Sequence, residues 1–208
     1  MQTKLLYILS FLFFSLSVNA QVLFFEDFET AEGATPPNGW TQEVLSGAAH
    51  KVWRFDDPGE EYSPIATSEV EGKFAIFDSR YYAANAPDDA DEDVVLTSPV
   101  LDFSAEENYI FLIFQHHVNT GFNSDPEIIV EVYDGEKWVE IYRREGNSIN
   151  TIRLEITEHV KGINNAQFRF RFQGEANNKS YWMVDNVEIR SNIGLDIRLL
   201  DIEPRESL

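Results

Sequence analysis

The residues whose type and spacing suggest chemistry here are carboxylates set among aromatics. The segment Tyr181–Arg190 reads YWMVDNVEIR. A period of two puts Trp182, Val184, Asn186 and Glu188 on one face of a predicted strand. Tyr181, Met183, Asp185, Val187 and Ile189 fall on the other. Asp185 is thus an acid on a mostly apolar face, and a carboxylate there is costly unless it is paired or bound to a cation. Phe24–Glu29 (FFEDFE) supplies a similar mixture of Phe and acid. Asp27 and Glu29, two residues apart, share a face of a predicted first strand, and Glu26 points the other way. The expectation is that the two segments lie together and hold a Ca²⁺, a hard cation that takes roughly six to eight oxygen ligands.

Other chemistries find less support. His116 and His117 are adjacent on a predicted strand, so they point to opposite faces and cannot easily share a metal, and no HExxH motif occurs. The chain has no cysteine, which excludes thiol nucleophiles and Cys-based zinc sites. There is no GxSxG elbow and no local Ser/His/Asp pattern, so the expectation is a protein that is not an enzyme. With 36 acidic residues any carboxylate pair is uninformative, so a polysaccharide-acting hydrolase on a sandwich stays as an alternative. The acidic run Asp88–Asp93 lacks the donor register of an EF-hand and reads as a solvated loop. Tyr81, Tyr82, Phe122 and Tyr181 lie in or beside predicted loops, where an aromatic folded onto the core is the more common role than a ligand contact. Asn178-Lys179-Ser180 fits a glycosylation sequon.

The elements that must position these residues are strands. Residues 1–20 read as a secretory leader, with Lys4, an apolar run over Leu5–Leu16 and small residues at Val18-Asn19-Ala20. A sandwich domain then spans 21–191, with an extension over 192–208 that is an additional strand or a linker. Predicted strands are Val22–Phe28, Val52–Phe55, Lys73–Phe77, Val94–Thr97, Tyr109–Val118, Ile128–Tyr133, Lys137–Arg143, Thr151–Ile156, Ala166–Gln173 and Tyr181–Arg190. Asp134-Gly135 marks a hairpin. Trp40, after the irregular PPNG turn, is expected to plug the core, and Tyr81–Asp93 to be a long loop. The only helical signal is a short turn at Thr157–Lys161. Sixteen Phe, eight Tyr and four Trp suit such a core. Many strands separated by Gly, Asn and Asp turns predict an all-β, antiparallel two-sheet sandwich. A net charge of −20 opposes nucleic acid and anionic membranes and attracts divalent cations. The short apolar leader predicts no stable membrane insertion after cleavage.

Seven segments occur in a characteristic order: FFEDFE, PPNGW, VWRF, DVVLTSPVLDFS, EVYDGEKWVEIY, QFRFRF and WMVDNVEI. In this the chain resembles the MAM-like jelly-roll group, and more narrowly the cleaved-adhesin or choice-of-anchor J domains of bacterial exoproteins. The resemblance implies a jelly-roll module, secreted or on the cell surface, that serves adhesion or recognition of an extracellular glycan or protein. It also implies a structural calcium between the first strand, a central Asp and the last strand, with Glu26, Asp27, Glu29, Asp102 and Asp185 as its ligands here. A structural subunit of a surface or matrix is a further alternative.

Overall fold

The computed structural model describes residues 21–56, 72–87, 90–120, 126–176 and 179–192. The leader, most of the acidic turn that follows Asp56, Phe122, Asn178 and the extension beyond Asn192 lie outside the described residues. The strands are β1 (Gln21–Glu26), β2 (Thr41–Ser46), β3 (Ala75–Asp78), β4 (Glu92–Thr97), β5 (Tyr109–Asn119), β6 (Glu127–Tyr133), β7 (Trp138–Arg144), β8 (Ser148–Glu155), β9 (Gln167–Gly174) and β10 (Tyr181–Asn192). Two short helices, α1 (Ser79–Asn85) and α2 (Thr157–Val160), complete the described elements. One sheet has the order β1-β10-β5-β8, with β3 also paired to β10. The other runs β2-β4-β9-β6-β7. Every pairing is antiparallel, and the two sheets form a jelly-roll sandwich.

Alternation along β9 drives the packing. Phe168, Phe170 and Phe172 are buried, and Arg169 and Arg171 face outward. Phe170 meets Trp182 of β10 edge-on at 5.5 Å, and Phe172 meets Phe77 of β3 at 4.6 Å. Trp40 is buried, as its position after the turn suggests, and packs on Phe24, Phe28, Phe168 and Phe170. Each fully buried side chain of this kind contributes roughly 1.5–3 kcal/mol. On the outer face of the second sheet, Asp93, Arg171, Glu131 and Arg169 form an ion-pair ladder that ends with Arg169 4.2 Å over the Trp138 ring.

Several elements differ from the sequence expectation. β2 carries no strong strand pattern, because its exposed polar residues read as loop; β4 provides its ladder. Val52–Phe55 is not a strand. It makes one bridge, Arg54 to Ile76, and plants Trp53 and Phe55 in the core. The expected loop after Asp78 begins with α1, whose N-terminus Asp78 caps by accepting from the N–H groups of Arg80 and Tyr81. Tyr82 on that helix is buried, its hydroxyl donating to the Val52 carbonyl at 2.6 Å. β1 stops at Glu26, and Phe28 adopts φ 56° while remaining fully buried. Asp27 and Glu29 therefore do not share a strand face: they lie in a turn.

β10 also departs from simple alternation. A bulge between Asp185 and Glu188, with Asn186 at φ 47°, exchanges its faces. Trp182 and Val184 before it, and Val187 and Ile189 after it, all enter the main core. Tyr181 and Met183 join Phe74 and Ile76 in a smaller cluster on the opposite face.

Candidate functional site

The bulge in β10 coincides with a change of partner. Along one edge of β10, Tyr181–Val184 pair with β3. From Val187 onward that edge pairs with β1, beginning at Glu26. Asp185 and Asn186 occupy the gap, where the chain leaving β1 turns away through Asp27, Phe28 and Glu29. The first and last strands thus meet at the acids that the sequence singled out.

Asp185 is almost completely buried, and its Oδ1 has no hydrogen-bond partner among the described residues. Its Oδ2 accepts from the Asn186 side-chain amide at 3.0 Å, and that amide also donates to Gln115 Oε1 of β5 at 3.0 Å. Burial pushes the Asp185 carboxyl from its ordinary 3.8 up to about 7. The Asn186 backbone N–H opposes the rise, and the charges of Asp27, Glu29 and Glu26 add to it.

The surrounding acids are held by the protein itself. Glu26 accepts from the Phe28 N–H at 2.8 Å and from the Trp40 indole N–H at 3.1 Å. Its pKa is raised, chiefly by burial. Asp27 accepts from the Glu29 N–H at 3.2 Å. Glu29 accepts from the Lys73 N–H at 2.8 Å, beside Gly72, where a Cβ would fall 1.8 Å from its Oε1. The charges of Asp27, Glu29 and Glu26 are thus close enough to act on Asp185. Asp102 is elsewhere: it is exposed on the loop between β4 and β5, and no charge of the cluster acts on it. Its carboxylate accepts from the Ser104 N–H at 2.9 Å, and hydrogen bonding to Ser104 lowers its pKa.

The donor set is all oxygen, which suits a hard cation, and the orphaned Asp185 Oδ1 is the group most in need of one. Among the described residues, however, no three His, Cys, Asp or Glu side chains converge at ligating distance. Asn186, Gln115 and the Trp40 indole were not legible as parts of this site. The one signal was Asn186, a residue type that tolerates positive φ.

His116 and His117 do point to opposite faces. His116 Nε2 lies 3.0 Å from Ser148 Oγ and 2.7 Å from Asn150 Oδ1, inside the sandwich. Burial lowers its pKa to about 4, and its Nδ1 has no partner among the described residues. Among the described residues no carboxylate pairs with this imidazole, and it is fully buried. His117 instead contacts the Tyr181 hydroxyl at 3.1 Å.

A second feature is the outer face of the β1-β10-β5-β8 sheet. Pairing aligns Phe25, Glu188, Ile113 and Arg153 in one row across the strands. Val22, Arg190, Phe111 and Glu155 form the next. Tyr109 stands opposite Asn192 beyond them, and Ile149 lies beside His117 at the other end. Val22, Phe25, Tyr109 and Ile149 are 49, 49, 48 and 54 % exposed, so this face collects most of the large apolar side chains that reach solvent among the described residues. Arg153 lies 4.0 Å over the Phe111 ring, and polar side chains alternate with the apolar ones.

No family model matches the sequence, and no curated protein matches it. Among solved structures the chain is similar to the K3 cleaved adhesin domain of Lys-gingipain from Porphyromonas gingivalis. The two are 15 % identical with a TM-score of 0.61, over 83 % of this chain and 99 % of that one. The K1 cleaved adhesin domain of the same protein gives 16 % identity and a TM-score of 0.59, over 84 % and 99 %. At such identities the likeness shows the fold, an adhesin-like β-sandwich. No helix among the described residues is long and apolar enough to cross a membrane.

Proposed function

We propose that the protein is a non-catalytic extracellular recognition module of the MAM-like, choice-of-anchor J kind, which engages a glycan or a protein through the outer face of the β1-β10-β5-β8 sheet. The observation that carries this reading is the concentration of half-exposed Val22, Phe25 and Tyr109, paired across the strands with Arg190, Glu188 and Asn192. Aromatic faces stack on sugar rings or fill pockets of a protein partner, and the flanking polar groups set orientation. The test is a glycan and matrix-protein array probed with wild type and with Phe25→Ala/Tyr109→Ala. Loss of every hit in the double variant, with an unchanged melting curve, is the expected result; hits that persist undiminished would sink this assignment.

We further propose that the acid cluster is a structural calcium site, with Asp185 as its central ligand and Asp27, Glu29 and Glu26 as the acids available beside it. A cation there would neutralise the buried Asp185 and tie the end of β1 to the middle of β10. Melting with calcium and with EDTA tests this, since a ligand that binds only the folded state raises its stability. Equal melting temperatures in the two buffers would refute it.

A further inference from the structure

At the end of the sandwich marked by the Asp134-Gly135 hairpin, a cleft of about 570 Å³ opens between that turn and the segment that links α2 to β9. Its size lies within the roughly 300–1,000 Å³ of small-ligand sites. Both walls are pinned by main-chain bonds. The Phe103 N–H donates to the Ile163 carbonyl at 2.7 Å, and the Gly162 N–H to the Phe103 carbonyl at 3.0 Å. Leu101 and Ala166 exchange a reciprocal pair at 2.8 and 3.0 Å. On the hairpin side, Asp134 Oδ1 accepts from the N–H groups of Glu136 and Lys137, both at 2.9 Å. Gly135, at φ 94°, lets the turn close in: a Cβ there would sit 3.4 Å from both Asn165 Oδ1 and Ile163 Cγ2.

Two of the polar side chains that line this preformed space are uncommitted. Asn164 and Asn165 are exposed, and neither side-chain amide hydrogen-bonds to any of the described residues. Ser104 and His159 add further donors and acceptors, and the half-buried Ile163 forms an apolar patch against the core. Each amide offers both a donor and an acceptor, the complement of an alcohol that does the same. Asp134, Glu136 and Glu158 outnumber Lys161, so the cleft disfavours an anionic ligand.

We propose that this cleft is a second binding site that takes terminal residues of a neutral or amino-bearing saccharide by hydroxyl recognition, with Asn164 and Asn165 as its principal contacts. It rests on the reading of the protein as a glycan-recognition module but lies on other elements than the open sheet face. Among the described residues no Phe, Tyr or Trp lines it, so its selectivity comes from hydrogen bonds rather than stacking. Acidic sugars are excluded by charge.

The test is two-dimensional NMR of the full chain with millimolar galactose, mannose, glucose and glucosamine, and with glucuronate as the acidic control. Shifts confined to residues 134–136 and 158–165, absent with glucuronate, are expected. Asn164→Ala/Asn165→Ala should weaken that binding about tenfold or more, because two hydrogen-bonding amides are lost, and Phe25→Ala/Tyr109→Ala should leave it unchanged. Shifts confined to the open face and lost in the Phe25/Tyr109 variant would overturn the cleft assignment and leave the recognition module standing. A lack of shifts with every sugar would also overturn it, and the array experiment then decides the open face separately.

Discussion

Replacing Asp185 by Asn removes a charge with almost no change of shape, so it isolates the electrostatic burden at the strand junction. The folded-state carboxyl has its pKa raised from 3.8 to about 7. For an acid shifted upward, the folded state holds the proton more tightly than the unfolded chain. The stability this confers is fully present below the unfolded value and is lost as pH rises through the folded one. Three pH units at about 1.4 kcal/mol each bound the burden of the ionised, cation-free site near 4 kcal/mol. At about pH 8 in EDTA, Asp185→Asn should therefore be more stable than wild type, by up to roughly 10 °C in Tm for a domain of this size. At about pH 5 the difference should shrink to roughly 1.6 kcal/mol, since the folded carboxyl holds its proton there while the unfolded one, about 1.2 pH units above its own value, has lost it; it should vanish only below pH 3.8. Calcium should raise the wild-type Tm and leave the variant unmoved. The assay is differential scanning calorimetry of both proteins at the two pH values, with EDTA and with calcium. An Asp185→Asn protein that melts at or below wild type in EDTA at the higher pH would refute the account, since the carboxylate would then not be the destabilising charge.

Other expectations follow from single contacts. His116 carries the opposite linkage: its pKa is depressed to about 4, so its contribution is present above the unfolded value near 6.5 and is lost as pH falls toward 4. His116→Gln should flatten the decline of Tm between those values, as read by acid titration of the melting curve. Phe28 is fully buried against Trp40 and Phe55 despite its positive φ, so Phe28→Ala, which keeps the Cβ and its strain, should cost about 3–5 kcal/mol in urea unfolding. Gly47, at φ 108°, would place a Cβ 2.2 Å from the Asp91 carbonyl oxygen. Gly47→Ala should destabilise by more than about 1 kcal/mol in the same assay, whereas Gly146→Ala, with open space around it, should show only the cost of its φ. Glu26→Gln should alter Trp40 emission, because the indole N–H donates to that carboxylate.

The alternating Phe168, Phe170 and Phe172, the Asp134-Gly135 hairpin and the long apolar β5 were legible in the sequence, because period-two burial and turn chemistry are local properties. So was the awkward placement of Asp185, since VDNV sets one acid among apolar neighbours that bury it. The expectations about compartment and binding class rest on the apolar run of residues 1–20 and on the family resemblance. Tertiary structure decided the rest. β2 exists because β4 offers it a ladder, and Trp53 and Phe55 are core plugs because a single bridge to β3 suffices to seat them. Asp27 and Glu29 act on Asp185 from a turn, not from a strand face, because Phe28 turns the chain with positive φ to enter the core. The faces of β10 exchange at Asp185–Asn186 because β1 and β3 share one of its edges, and that division is a long-range fact that no window of sequence contains. An acid's identity is written in the chain; whether its neighbours are charges, amides or water is set by which strands meet.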